Sequence, residues 1–315
     1  MSPHPASAKQ YRPTMFRKTV LLPLLLLLAS CSLTGHQTEP VIRTHVDTKT
    51  GGQIAQDNRA TRLSVMTLNM AHGRGDSFHQ LFQSTDTTRS NLHTIADLLQ
   101  REAPDVVSLQ EADSRSLWNG NFDHVDFLAE KGSFSQSVRG THVDGPGLAY
   151  GTALVAKLKL DNPQAVTFEP GLLPLPKGFV VSTVNWPGNE CIQVDIASVH
   201  LDFLSESTRR KQATQLIATL RDRNRPVIVM GDFNTDWQQP DSAVRLIASE
   251  LGLHSYQPNN ESLATFPVFG ERLDWILVSP GINFLSYRVV GDVVSDHLGV
   301  FSELVIDRSC PDTRL

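Results

Sequence analysis

Short runs of Val, Ile and Leu recur along this chain at strand length, and between them stand stretches whose apolar residues repeat at helical spacing. That alternation restricts the fold more than any other feature, because interleaved strands and amphipathic helices bury their apolar faces only by laying helices on sheets. A first strand is expected at 63–69. Residues 91–102 put Leu92, Ile95, Leu98 and Leu99 on one helical face, and Pro104 closes that helix before a strand at 106–110. Further strands are expected at 152–156, 179–185, 191–200, 227–230, 275–278, 287–290 and 299–306. Between them, 207–222 carries Ala213, Leu216, Ile217 and Leu220 at helical spacing. No internal repeat is present, and the class is α/β.

The amino terminus has a different character. Arg12, Arg17 and Lys18 precede an apolar run at 20–29, interrupted by Pro23 and followed by Ser30 and Cys31, the order of a secretory signal peptide. A transmembrane helix needs about 20 apolar residues, more than this run offers. Leu28-Ala29-Ser30-Cys31 resembles the bacterial lipobox, in which the cysteine is diacylated and becomes the first mature residue; the other reading is an ordinary signal with a chance cysteine. The resemblance implies removal of residues 1–30 and a lipid anchor at Cys31. It also implies a place in the bacterial cell envelope, with Ser32 suited to the outer membrane and the domain facing the periplasm. Residues 31–60, rich in Thr, Gly, Gln and Asp, read as a flexible tether, and 61–310 as the domain.

Loss of Lys9, Arg12, Arg17 and Lys18 with no acid leaves 24 basic and 33 acidic residues, a formal charge of −9. Such a surface does not draw polyanions over long range, so a broad nucleic-acid track is not indicated, though a local site still accommodates one phosphodiester. The remaining cysteines, Cys191 and Cys310, are free to pair in an oxidising compartment or to stay as buried thiols.

The informative residues stand at strand ends. Asn69, Glu111, His200, Asp232 and Asp274 each flank an apolar run, so one edge of a sandwich would collect them. Phosphoester hydrolysis needs a cation to offset charge on the phosphoryl group, an aligned water and a donor for the leaving oxygen. Hard cations such as Mg²⁺ take carboxylate, amide and water oxygens. Gln110-Glu111 supplies a carboxylate, and Ser295-Asp296-His297 sets another beside an imidazole. Gly231-Asp232-Phe233-Asn234 supplies a carboxylate and an amide two residues apart, which an extended backbone would point the same way.

In order along the chain, Leu68-Asn69, Gln110-Glu111, Val199-His200-Leu201, Gly231-Asp232-Phe233-Asn234, Leu273-Asp274-Trp275-Ile276 and Ser295-Asp296-His297 resemble the motif series of the endonuclease/exonuclease/phosphatase superfamily. The resemblance implies a two-layer β-sandwich flanked by helices, a four-layer α/β/β/α fold. It also implies a metal-dependent phosphoesterase, a phosphodiesterase or endonuclease, using Mg²⁺ or Mn²⁺. Carried over residue by residue, Glu111 would be the principal metal ligand, with Asn69 and Asp296 in its shell. Asp232 and Asn234 would orient the attacking water. His297, held by Asp274, would meet the phosphoryl oxygens or accept a proton, and His200 would protonate or stabilise the leaving oxygen. A partner for His200 is not apparent, and Asp202 is assigned to the following loop. His72 is a further candidate to face the metal, whereas His79, His93, His124, His142 and His254 read as surface or helix residues. Tyr150 either reaches the substrate or is a core aromatic.

Within the resemblance, histidine at 200 is shared with pancreatic-type deoxyribonucleases, sphingomyelinases, inositol-phosphate phosphatases and deadenylases, whereas abasic-site endonucleases carry tyrosine. The substrate class stays open between nucleic acid and phospholipid. The apolar, proline-rich segment at 169–186 either covers a core edge or shapes a pocket against lipid. A non-catalytic module on the same fold would be expected to have lost one of Glu111, Asp232, Asn234 or His297, and all four are present.

Overall fold

A computed structural model describes residues 37–45, 61–75, 84–145 and 147–307. The expected signal peptide, Cys31, residues 46–60, His79 and Cys310 lie outside them. Among the described residues the strands form two seven-stranded sheets. Across the first run β1 (Gln37–Thr38), β7 (Asp161–Thr167), β8 (Gly178–Trp186), β9 (Asn189–His200), β10 (Val227–Asp232), β12 (Asp274–Val278) and β11 (His254–Ser255). Across the second run β13 (Ile282–Val289), β14 (Val300–Ile306), β3 (Arg62–Asn69), β4 (Val106–Asp113), β6 (Tyr150–Ala156), β5 (Gln136–Val143) and β2 (Val41–Thr44).

The inner faces of the two sheets share one apolar core, including Leu63, Val65, Val106 and Leu154 from the second sheet and Val180, Ile196, Ile228 and Ile276 from the first. Alternate residues on the same strands face outward. On the second sheet they pack with Leu92, Ile95 and Leu99 of α1 (Thr85–Glu102) and Val125 and Leu128 of α2 (His124–Lys131). On the first they pack with Ala213, Leu216 and Leu220 of α3 (Glu206–Arg223) and Val244 and Ile247 of α4 (Ala243–Leu251). The result is the expected α/β/β/α sandwich. Among the described residues no helix is long and apolar enough to cross a membrane.

Caps set the helix ends. Ser84, Asp123, Ser205 and Ser242 each accept a hydrogen bond from a first-turn N–H, and Ala103, Asn224 and Gly252 end their helices in the left-handed region. Helix α1 begins six residues before the expected 91, because the turns after Ser84 are polar and bury only Thr88, leaving no apolar period to read. For the same reason the half-exposed strand β7 and the polar β5 were not legible, and β13 starts five residues before the expected 287. The stretch assigned to a tether contains two short strands. β1 pairs with β7 and β2 with β5, so edge pairing orders residues that carry little apolar signal. Cys191 is disulfide-bonded.

Strand direction gathers the polar ends. β9 and β10 run parallel, with His200 opposite Asp232, and β12 runs antiparallel, so its first residue, Asp274, also lies opposite Asp232. In the other sheet β3 and β4 are parallel, with Asn69 opposite Gln110. Towards this edge the apolar core gives way to a polar seam. Gln110 Nε2 donates to Ser108 Oγ (2.7 Å) and Ser198 Oγ (3.2 Å), Ser198 Oγ donates to the Leu109 carbonyl (3.1 Å), and Ser108 Oγ donates to the Met230 carbonyl (3.3 Å). All but the Gln110–Ser108 bond, which lies within β4, cross from sheet to sheet and fix the two strand edges relative to each other.

Candidate active site

Two backbone features place the carboxylates. β4 is bulged between Leu109 and Ala112, and Glu111 sits there at φ +52°, turned out of the strand's alternation. On β10, Gly231 lies at φ +150°, where an added Cβ would stand 1.9 Å from the Val199 carbonyl oxygen, so only glycine lets β10 come this close to β9. Asn234 departs from the extended-backbone expectation. The strand ends at Asp232 and Asn234 adopts φ +49°, so its backbone N–H donates to Asp232 Oδ1 (2.9 Å) and its side chain to the Leu201 carbonyl (3.0 Å).

Asp232 is the hub. Asn69 Nδ2 donates to its Oδ2 (2.9 Å) from the other sheet, while His200 Nε2 stands 3.4 Å and His297 Nε2 3.8 Å from the same oxygen. Burial and the neighbouring Asp274 push this carboxyl up, against His297 and the hydrogen bonds from Asn69 and Asn234. His297 Nδ1 lies 2.8 Å from Asp274 Oδ2, and Asp274 Oδ1 is buried with no hydrogen bond among the described residues. Burial works to lower the His297 imidazole, but Asp274 and then Asp232 outweigh it and raise it to about 10. Phe266 packs on that ring at 4.9 Å.

Glu111 has different company. Lys177 Nζ stands 3.3 Å from its Oε1 and His72 Nε2 3.3 Å from its Oε2. Burial alone would raise the Glu111 carboxyl, but Lys177, His72 and His200 hold it well below the usual carboxylate range. Lys177 is 7% exposed and also stands 3.4 Å from His200 Nδ1. His72, at φ +59°, is fixed through Nδ1 to Asp113 Oδ1 (2.5 Å) and packs edge-on to buried Tyr150 at 4.8 Å. Asp296 accepts from Ser295 Oγ (3.1 Å) and faces His297, while Ser295 pairs with Gly75 in the loop after β3.

A family model for the endonuclease/exonuclease/phosphatase family matches residues 66–297. The chain belongs to that family. Its members are generally hydrolases acting on phosphoesters and generally use a divalent metal. No curated protein matches the sequence. Among solved structures, the chain is similar to an endonuclease/exonuclease/phosphatase from Beutenbergia cavernae (21% identity, 78% of this chain and 72% of that one, TM-score 0.61). It is also similar to the human nocturnin catalytic domain with bound sulfate (21%, 78% and 94%, 0.58). A third is a mannosyl-6-phosphatase from Bacteroides thetaiotaomicron (17%, 78% and 100%, 0.56). At these identities the likeness concerns the fold.

The donor chemistry fits a hard divalent ion. Glu111 offers an ionised, partly exposed carboxylate, Asn69 Oδ1 accepts from the Ala71 N–H alone (3.1 Å) among the described residues, and Asp296 presents a half-exposed carboxylate. Among the described residues Asp232, Asp274 and His297 are the three acidic or imidazole groups whose ligand atoms lie within 4.8 Å of one another. Their arrangement suits a held imidazolium better than a metal, since Asp274 already engages Nδ1 and a hard cation prefers oxygen donors.

Sequence reasoning passed over Lys177, Arg74 and Asp113. The sequence marks Lys177 only as the lone cation in the proline-rich loop; its place at the site comes from the pairing of Gly178 with His200. Asp202 does serve its own loop, accepting from the N–H groups of Leu204 (3.0 Å) and Ser205 (2.7 Å). His142 departs from its surface or helix assignment, whereas His124 is a helix residue as expected, though a buried one. His142 is buried on β5 between Thr152 (2.9 Å) and Thr167 (3.0 Å), and His124 is fully buried at the start of α2.

Proposed function

We propose that this chain is a metal-dependent phosphoesterase that hydrolyses a P–O bond by in-line attack of water, acting on a phosphodiester. The observation that carries this reading is the placement of the Asp232 carboxylate between His200 and His297, anchored by Asn69 and beside Glu111. Asp232, with Asn234 bonded to it, aligns the attacking water, and its raised pKa suits it to accept a proton. His297, kept cationic by Asp274, faces the phosphoryl oxygens with positive charge. His200 directs Nε2 towards the leaving oxygen. Glu111, Asn69 and Asp296 would hold the metal, which supplies charge compensation for the phosphoryl group when bound.

The apolar rim favours a phospholipid over a nucleic acid. Leu117 is 80%, Leu172 78% and Phe269 73% exposed, and Leu172 lies on the loop that leads into Lys177. Trp118, next to Leu117, stacks under Arg74 at 4.3 Å, Phe203 lies 5.9 Å from Lys177, and Phe269 packs on Phe266. Apolar side chains around a polar mouth suit a phosphodiester presented at a lipid surface, and a lipid anchor at Cys31 would bring the domain there. The deciding experiment assays soluble phosphoesters, oligonucleotides and phosphatidylcholine vesicles with Mg²⁺ and with chelator. Cleavage that persists in chelator, or none on any substrate, would overturn the assignment. Cleavage of oligonucleotides alone would overturn the lipid reading.

A further inference from the structure

His200 and His297 flank one carboxylate, yet the fold gives their other nitrogens opposite partners. His297 Nδ1 faces the Asp274 carboxylate at 2.8 Å, and His200 Nδ1 faces the Lys177 ammonium at 3.4 Å. The position of Lys177 follows from the sheet. Gly178 pairs with His200 across β8 and β9, so the preceding side chain enters the site beside the imidazole. Glu111 Oε1 holds the ammonium from the other side at 3.3 Å, and the rings of Tyr150 and Phe203 each stand 5.9 Å from it. With 7% of the residue exposed, Lys177 has little water with which to exchange these contacts.

An ammonium has three donors and no acceptor, so the nitrogen facing it must present a lone pair. On the far side of the ring, Nε2 faces Asp232 Oδ2 at 3.4 Å and Glu111 Oε1 at 4.0 Å, both acceptors when ionised. Both sides therefore ask for the same tautomer, with Nδ1 bare and the proton on Nε2. A carboxylate at Nδ1 would instead favour the imidazolium, as Asp274 does for His297.

We propose that Lys177 is a positioning residue that donates to Nδ1 of His200 and so fixes the Nε2–H tautomer. His200 then meets the leaving oxygen as a neutral hydrogen-bond donor, not as an imidazolium that gives up a proton. The proposal rests on the phosphoesterase reading only for what that donor serves. The tautomer itself is a property of the free protein.

The test is ¹⁵N–¹H correlation of the imidazoles in the full chain at one pH, with the His200 signals identified from their loss in His200→Ala. The wild type should show His200 protonated at Nε2 and bare at Nδ1. Lys177→Met, which keeps the stem and removes the donor, leaves Asp232 and Glu111 at Nε2 but nothing to keep Nδ1 bare, so part of the His200 population should carry a proton on Nδ1. Lys177→Arg, again a donor without an acceptor, should keep the wild-type signature. A wild-type spectrum with Nδ1–H overturns the proposal even if every variant misfolds, and so does a Met variant identical to wild type. Neither readout depends on turnover, so failure here would leave the phosphoesterase reading standing, and failure of that reading would leave the tautomer result intact.

Discussion

The two halves of the site solve the problem of a buried carboxylate in different ways. Around Asp232 the carboxylates meet imidazole and amide groups in a sealed cluster, where Asp274 is fully buried and its bond to His297 is 2.8 Å. Around Glu111 the neighbours stand at 3.3 Å, the side chain is 20% exposed, and the partners are an ammonium and an imidazole from separate loops. Short, desolvated hydrogen bonds hold one geometry, whereas longer pairings at a solvent-reached carboxylate exchange with another cation at modest cost. On the proposed reading the first half keeps its geometry during a reaction, and the second changes its cation.

Removing the charge at the exchangeable half should have the largest effect. Glu111→Gln keeps the shape of the bulge and abolishes the anion, so metal-dependent hydrolysis should fall on the order of 10³-fold or more, with the circular dichroism and melting profile close to wild type. Retention of rate at saturating Mg²⁺ would mean that the metal is held elsewhere, and the sealed cluster would become the alternative.

Within the sealed half, His297→Ala should cost about 10³-fold in kcat/KM on every substrate, since it removes the cation facing the phosphoryl oxygens. Asp274→Asn should cost about 10²-fold by releasing the imidazole from its tautomer while leaving the volume unchanged. A double variant no slower than His297→Ala alone would show that Asp274 acts through His297. Additive losses would show that Asp274 has a separate role, for which its unpaired Oδ1 is the obvious atom.

The contrast between the halves also decides what the sequence disclosed. The sandwich and the edge that gathers Asn69, His200, Asp232 and Asp274 were legible, because apolar runs ending in one polar residue report strand and terminus together. Asp274 beside His297 was legible through the motif order. Of the company of Glu111, His72 was legible as a candidate at this carboxylate and Lys177 was not. Lys177 arrives from a loop 66 residues away in the chain, and no local period marks a lysine whose neighbours are set by strand register. The left-handed turns at Glu111 and Asn234 were equally hidden, since neither is glycine and the strain becomes visible only once the bulge and the turn are in place.

His200 lies between the two halves, and its variant should have a smaller and selective effect. His200→Ala should cost about 10²-fold on an ester with a basic alkoxide leaving group and little on a nitrophenyl ester, whose leaving oxygen needs less stabilisation. His297→Ala should cost both alike. Equal losses for the two variants across leaving groups would show that the roles assigned to them are wrong, although the comparison between sealed and exchangeable carboxylates would survive.

The smallest effect tests the exchangeable half by itself. An ammonium 3.3 Å from Glu111 Oε1 repels an incoming divalent cation and competes with it for the same oxygen. Two unit charges about 4 Å apart interact by roughly 4 kcal/mol at the effective dielectric near a protein surface, but the Glu111 carboxylate between the two cations and the water that reaches it offset most of that, so only part of the repulsion survives binding. Lys177→Met should therefore tighten Mn²⁺ binding by about tenfold, equivalent to about 1.4 kcal/mol. Titration calorimetry without substrate measures it directly. The same substitution at a sealed carboxylate has no counterpart, since the imidazolium of His297 is held by two aspartates and not by one. Unchanged or weaker Mn²⁺ binding would show that Lys177 supports the Glu111 geometry instead of competing for its charge, and the difference between the two halves would then be one of exposure alone.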